Sequence, residues 1–286
     1  AMDAVGARRM FPRGCPPLIH HEDGFNADEA GGLNWKRNGF RRLMLPAARA
    51  LVVPSQTLES IARNVWKQPA GRVVRIANGI ATDLYAHPPE TGGIMGLERK
   101  PGDVIVGTLA GLRPVKNLPR LIRAVAPLPP HVKLVIVGEG PERDAILAEA
   151  KRLGMTDRLV MPGFLPAPHR YVGHFDIFAL SSDSEQFPIS LVEAMTAGLP
   201  VVSTDVGDVR SIVSTPNLPF IVPATDEAAL SSALGLLCDD LALRRTLGSA
   251  NRALAGQDYG EDRMIARYAA LYEATMARPG ALSGFR

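Results

Sequence analysis

Two glutamates, Glu185 and Glu193, stand eight positions apart in EQFPISLVE, with a proline and an apolar run between them. A helix made only for packing has no use for the first of them. Pro188 lacks an N–H and has φ preset for a helix start, so the helix is expected to begin there. Glu185 then lies in the loop before the helix, and Glu193 lies more than a turn inside it. The two acids would touch different parts of one ligand. Carboxylates accepting from hydroxyls suit a sugar or ribose, and free N–H groups at the helix start suit a phosphate. The plain alternative is a dipole-stabilising acid and a solvated helix acid.

Three further loops bear on chemistry. GTLAGLRPVKN (107–117) offers glycines for close backbone approach, with Arg113 and Lys116 able to reach a phosphate or, equally, standing as two solvated cations on a surface loop. VIVGEGPERD (135–144) carries Gly138 and Gly140, with Pro141 suited to a first helical position. It fails as a dinucleotide fingerprint, because Arg143 stands where the third glycine belongs, and taken alone it reads as a tight turn. GFLPAPHR (163–170) brings His169, with His174 nearby, and such histidines are more often solvated or structural.

The elements that must position these loops alternate regularly. Apolar runs such as DVIVGTLAG, HVKLVIVG, RLVMPG, DIFAL and LPVVST are separated by helical segments, a short one being PHRYVGHF (168–175). Continuous apolar strands between helices mean a parallel sheet covered on both faces, a doubly wound α/β domain. Ahead of it come strands at 16–21 and 72–76, a helix end and strand within 43–55, and a helix over 55–68 with Ser55 as N-cap. Residues 86–102 are rich in proline and glycine and read as a linker. The expected domains are 1–88, 89–258 and a closing helical segment, 259–286. Only about three strands fall in the first 85 residues, so that domain is expected to be partial.

At 286 residues with 46% hydrophobic content the chain can bury two cores. Two cysteines, Cys15 and Cys238, make no disulfide framework and fit a reducing compartment. The sequence shows no bilayer-spanning run and no signal-peptide layout, so a cytoplasmic placement is expected. A net charge of +3, dispersed, with 6% aromatic residues, argues against nucleic acid.

Taken in order, EQFPISLVEAMTAGLPVVSTDVGDVRSIV (185–213), RPVKN (113–117), VIVGEGPE (135–142), IANGI (76–80) and ARYAALY (266–272) resemble the retaining GT-B glycosyltransferases of group 1 (family 4). The resemblance implies a Rossmann-like donor domain and a partial Rossmann-like acceptor-side domain, with the last helix crossing back to the latter. It places Glu185 beside a donor sugar, Glu193 on ribose hydroxyls and Lys116 on a diphosphate. Gly138, Gly140 and Pro141 border the base, and Phe187, Pro188, Ile189 and Ser190 complete the donor site. The family carries an arginine five residues before the lysine; Gly111 stands there instead, and Arg113 is the expected substitute. Within LIHHEDGF (18–25), His20 aligns with a histidine near the reacting sugar, while His21 faces the other side of the strand. A metal cluster of His-His-Glu-Asp is disfavoured, since neighbours on a strand diverge.

The implied activity is transfer of a sugar from a nucleoside-diphosphate sugar to an unidentified glycan, lipid or small-molecule acceptor. No Asp-x-Asp triplet occurs, so neither a metal nor any other cofactor is expected. The competing readings are a truncated or partner-dependent nucleotide-sugar-binding module without turnover, and an NAD(P)-dependent oxidoreductase, which the failed glycine fingerprint disfavours. LNWKRNGFRRLML (33–45) mixes apolar and basic residues. It reads as an ordinary amphipathic helix or, as the alternative, a peripheral contact with the inner face of a membrane.

Overall fold

The computed structural model describes Val5 and residues 17–24, 34–90 and 92–277. Cys15 lies outside them. The chain divides into two compact units, Ala1–Gly79 with Glu261–Arg286, and Ile80–Gly260. The division falls at residue 80 rather than in the 86–102 stretch. Segment Thr82–Ala86 forms a 3₁₀ turn with Tyr85 buried, which ties it to the second unit.

The first unit holds a parallel sheet ordered β1 (Ile19–His21), β2 (Ala50–Val53), β3 (Val73–Arg75). Helix α1 (Trp35–Met44) connects β1 to β2, and α2 (Gln56–Asn64) connects β2 to β3. Ser55 caps α2 as its spacing foretold, its hydroxyl accepting from Leu58 N–H at 3.0 Å. Strand periodicity sorts the core onto two faces. Leu51 and Val53 pack with Leu58, Ala62 and Trp66 on one side. Ala50 and Val52 pack with Leu271 of the final helix on the other. That helix, Glu261–Ala277, therefore belongs to the first unit.

The second unit is a six-stranded parallel sheet. Its strands are β4 (Val104–Leu109), β5 (Val132–Val137), β6 (Leu159–Gly163), β7 (Ile177–Leu180), β8 (Val201–Thr204) and β9 (Ile221–Val222). The spatial order is β6-β5-β4-β7-β8-β9, so the winding reverses between β4 and β7. In such sheets ligands bind outside the carboxyl ends of the strands at that reversal. Val106, Leu134, Ile136, Ile177, Ala179 and Val202 lie in the core between the sheet and its helices. Buried Cys238 joins this core, its thiol pushed up to about 11 by desolvation.

Several expectations need correction. The 168–175 segment is two 3₁₀ turns, Pro168–Arg170 and Val172–His174, not one helix. The helix after β5 runs Arg143–Arg152 with Glu142 at its N-cap, so Pro141 precedes the helix rather than opening it. Pro188 is the N-cap of Ile189–Thr196, one residue before the first helical position. The short helix Val209–Ile212 and the two-residue strand β9 carry no periodic signal and emerge only in the fold.

Candidate functional site

At the reversal point the loops after β4 and β7 are stitched together. Lys116 Nζ donates to Glu185 Oε1 at 2.6 Å, and Ser182 Oγ donates to the same oxygen at 2.6 Å. Asp183 N–H donates to Val115 C=O at 2.8 Å, and Ser181 Oγ donates to Lys116 C=O at 3.0 Å. Arg120 braces both loops, donating to Ser181 C=O at 2.9 Å and pairing with Asp183 at 2.7 Å. Asn117 makes this possible by taking a left-handed conformation, φ 42°, and bonding Asp183. The Glu185 side chain is only 9% exposed, so its pairing takes place largely out of water.

Beside these loops lies a hollow of about 480 Å³, of the size that small-molecule sites occupy. Gly111, Gly138, Glu139, Phe164, Ser190 and Glu193 are among its lining residues. The two glycines after β5 have a packing reason. A Cβ on Gly138 would lie 1.9 Å from Ala110 C=O, and one on Gly140 would lie 2.5 Å from Leu112 C=O. Both adopt positive φ, 144° and 153°, and the β4 and β5 loops lie against each other because nothing protrudes between them.

Glu193 sits in this hollow with its carboxyl pushed up by burial, an effect that the neighbouring Tyr85 hydroxyl opposes. Burial and then Glu193 push the Tyr171 phenol up to about 12, and its hydroxyl donates to Leu165 C=O at 3.0 Å. Helix Ile189–Thr196 has no side-chain cap, so its first N–H groups point out of the N-terminus without one.

The structure thus gathers Gly111, Gly138, Ser190 and Glu193 on one hollow. Glu185 is not in its lining; it pairs with Lys116 on the loop that continues from Gly111. Arg113 is exposed, and its Nε would lie 3.5 Å from a Cβ on Gly111, so the guanidinium folds back over the glycine. Pro141 and Phe187 are outside the lining, Phe187 meeting Tyr259 edge-to-face at 5.7 Å. Ile189 is exposed and Pro188 buried. His169 and Tyr85 meet edge-to-face, and His174 contacts Glu90 C=O at 2.7 Å. Sequence reasoning missed Tyr85, Glu139, Phe164, Tyr171 and Ser182. All but Glu139 and Ser182 are aromatic residues within loops, which is the signal that could have found them.

A larger hollow, about 830 Å³, opens at the starts of β4 and β5. Within it Lys133 pairs with Asp103 at 2.8 Å, and Arg158 donates to several backbone carbonyls, among them Ala126 at 2.8 Å and Leu128 at 2.9 Å.

In the first unit, His20 is buried and its Nε2 meets Glu22 at 3.1 Å. His21 faces the other way and stacks on Tyr268 at 5.4 Å. Among the described residues no group of three or more His, Cys, Asp or Glu side chains could hold a metal ion. Among them, too, no helix is long and apolar enough to cross a membrane. Helix α1 points its apolar residues outward: Trp35 is 77% and Leu43 57% exposed, with Lys36 and Arg42 exposed beside them. Arg41 turns inward instead, opposite to an ordinary amphipathic helix.

Comparison with known proteins agrees with this geometry. Over 95% of this chain and 75% of the other, the fold superposes with a TM-score of 0.80 and 23% identity on Anabaena Alr3699/HepE in complex with UDP. The fold is GT-B, with Rossmann-like parallel sheets. Residues 96–254, more than half the chain, match the family described as glycosyl transferases group 1, and the chain belongs to that family. N-acetyl-alpha-D-glucosaminyl L-malate synthase of Bacillus anthracis is 26% identical over 57% of this chain and 44% of its own length. The 2-deoxystreptamine N-acetyl-D-glucosaminyltransferase of Streptomyces fradiae is 34% identical over 46% of this chain and 32% of its own length. The chain thus spans less than half the length of these two relatives.

Proposed function

We propose that this chain is a retaining glycosyltransferase that moves a sugar from a nucleoside-diphosphate sugar to a hydroxyl acceptor. The observation that carries it is the Lys116–Glu185 pair at the winding reversal, next to the hollow lined by Glu193. In this reading Glu193 grips the ribose hydroxyls. Lys116, Arg113 and the uncapped N–H groups at Ile189 and Ser190 face the diphosphate. Glu185, released from Lys116, accepts from hydroxyls of the donor sugar. As the glycosidic bond breaks, the departing diphosphate gains negative charge and the sugar carbon becomes oxocarbenium-like. Fixed cations and helix N–H groups stabilise that charge in the transition state more than in the bound donor, which is where the rate enhancement arises. These groups supply the countercharge without a metal, so turnover is expected to survive chelator treatment.

Calorimetry with UDP, GDP, ADP and NAD tests the site. Nucleoside-diphosphate binding without NAD binding is expected, and NAD binding alone would overturn the reading. Solved HepE binds UDP, which supports a nucleotide at this site. A donor-binding module without independent turnover is the second reading. Donor hydrolysis and transfer assays separate the two. The outward apolar face and basic rim of α1 support a peripheral contact with an anionic bilayer, which co-sedimentation with anionic against zwitterionic vesicles would show.

A further inference from the structure

The first unit holds a second polar arrangement at the carboxyl end of a parallel strand, the end where open α/β sheets present ligands. His20 sits on β1, paired in register with Leu51, and Glu22 follows directly after the strand. Glu22 N–H donates to Val52 C=O at 3.0 Å, which fixes its backbone. Its two carboxylate oxygens have different partners. Oε2 meets His20 Nε2 at 3.1 Å, and Oε1 accepts from Arg41 Nη2 at 3.0 Å. Arg41 is fixed in turn, its guanidinium 5.1 Å from the centre of the Trp66 ring. The Trp66 indole N–H donates to Asn38 at 2.9 Å, one turn earlier on the helix that carries Arg41. Glu22 and Arg41 keep only 12% and 11% of their side-chain surface exposed.

We propose that Glu22, pinned by Arg41, is a positioning residue that holds His20 as its Nε2–H tautomer and leaves Nδ1 to accept from a substrate hydroxyl. The chemistry follows from what each group can offer. A carboxylate paired with a guanidinium accepts hydrogen bonds and donates none, so the imidazole nitrogen facing it carries the proton. A neutral imidazole has one N–H, so the other nitrogen is left with its lone pair. Arg41, itself held over the Trp66 ring, restrains the carboxylate through its Nη2 bond to Oε1. The substrate part of this inference rests on the glycosyl-transfer reading; the tautomer does not.

The test has two readouts. Long-range ¹⁵N–¹H NMR on the full chain, above the ordinary titration range of histidine, reports which ring nitrogen carries the proton. The His20 signals are assigned by their loss in His20→Asn. The expected result is a protonated Nε2 in the wild type and a mixed population in Glu22→Gln, whose amide can donate to the ring as well as accept. A wild-type His20 protonated at Nδ1 would overturn the proposal.

Transfer kinetics supply the second readout. Glu22→Gln is expected to lower kcat roughly tenfold, the scale of losing a hydrogen bond to a charged group, with nucleotide affinity unchanged. On a His20→Asn background the same substitution should cost nothing more. An equal loss on both backgrounds would show that Glu22 acts on structure alone and would sink the positioning role. Arg41→Gln repeats the test from the other end of the relay if Glu22→Gln fails to fold. A His20→Asn enzyme with undiminished transfer would remove His20 from the reaction while the NMR result still decides the tautomer.

Discussion

Lys116 and Glu185 stand 2.6 Å apart across two loops, so the cation suited to a diphosphate is already matched by the acid suited to a sugar. On the glycosyl-transfer reading donor binding rearranges this pair, and the two halves of it should therefore respond in opposite ways. Lys116→Met leaves a largely buried carboxylate with Ser182 as its remaining hydrogen-bond partner here. Uncompensated burial of this kind costs about 1–3 kcal/mol, so the melting temperature should fall along with nucleotide affinity. Glu185→Gln frees the lysine, and nucleoside diphosphate should bind as well as or better than in the wild type while transfer falls. Calorimetry and transfer assays on both variants check this; equal loss of nucleotide binding in the two would contradict the assignment.

Glu193 predicts a trade between stability and binding. Burial raises its folded pKa above the unfolded value. The folded state therefore holds the proton more tightly. The associated stability is fully present below the unfolded pKa and is lost as pH rises through the folded pKa. Glu193→Gln removes the charge while keeping the shape, so it should raise the melting temperature at neutral pH and flatten that part of its pH dependence. The same variant should weaken nucleotide binding several-fold, about 0.5–1.5 kcal/mol for a lost hydrogen bond to a hydroxyl. Melting curves across pH and calorimetry with nucleoside diphosphate measure the two effects.

Much of the second unit was legible, because buried parallel strands read as continuous apolar runs wherever helices separate them. Lys116 and Glu185 were legible as residue types at strand ends, yet their bond was not. They lie 69 positions apart, and only the strand order brings them together. Tyr85 was hidden because it sits just ahead of the 86–102 stretch that reads as linker, and its role depends on burial against a helix a hundred residues away. The outward face of α1 was hidden for a different reason. Helical spacing shows that apolar residues share a side, but not which side the protein occupies; the inward Arg41–Glu22 bond decides that.

Two glycines make a controlled pair of predictions about the Glu185 loop. Gly207 has φ 55°, and a Cβ there would lie 2.3 Å from Glu185 C=O. Gly207→Ala must displace that loop, since the obstacle is backbone. It should cost about 1–2 kcal/mol from the left-handed conformation alone, and transfer should fall further than stability. Gly256 lies inside the helix Leu241–Asp258 with nothing within 4 Å of its would-be Cβ. Gly256→Ala should be stabilising by about 0.5–1 kcal/mol with activity unchanged. Chemical denaturation and transfer rates compare the two.

His21 links the pH response of the first unit to the final helix. Its ring stacks on Tyr268 at 5.4 Å, and Tyr272 lies 3.4 Å from its Nε2, so β1 and Glu261–Ala277 meet at this side chain. Desolvation lowers its folded pKa below 6.5, against the opposing pull of Asp23. The unfolded chain then takes up a proton before the folded one does. Stability should be full above about pH 6.5 and should decline as pH falls from there, levelling only once the folded ring also protonates. His21→Phe keeps an aromatic stack without a titrating nitrogen, and should remove this component of the pH dependence. Hydrogen exchange should report the loss first in the final helix, because its docking face includes Tyr268 and Leu271. A wild-type stability unchanged from pH 8 down to 5, or a slope that survives in His21→Phe, would place the pH sensitivity elsewhere in the unit.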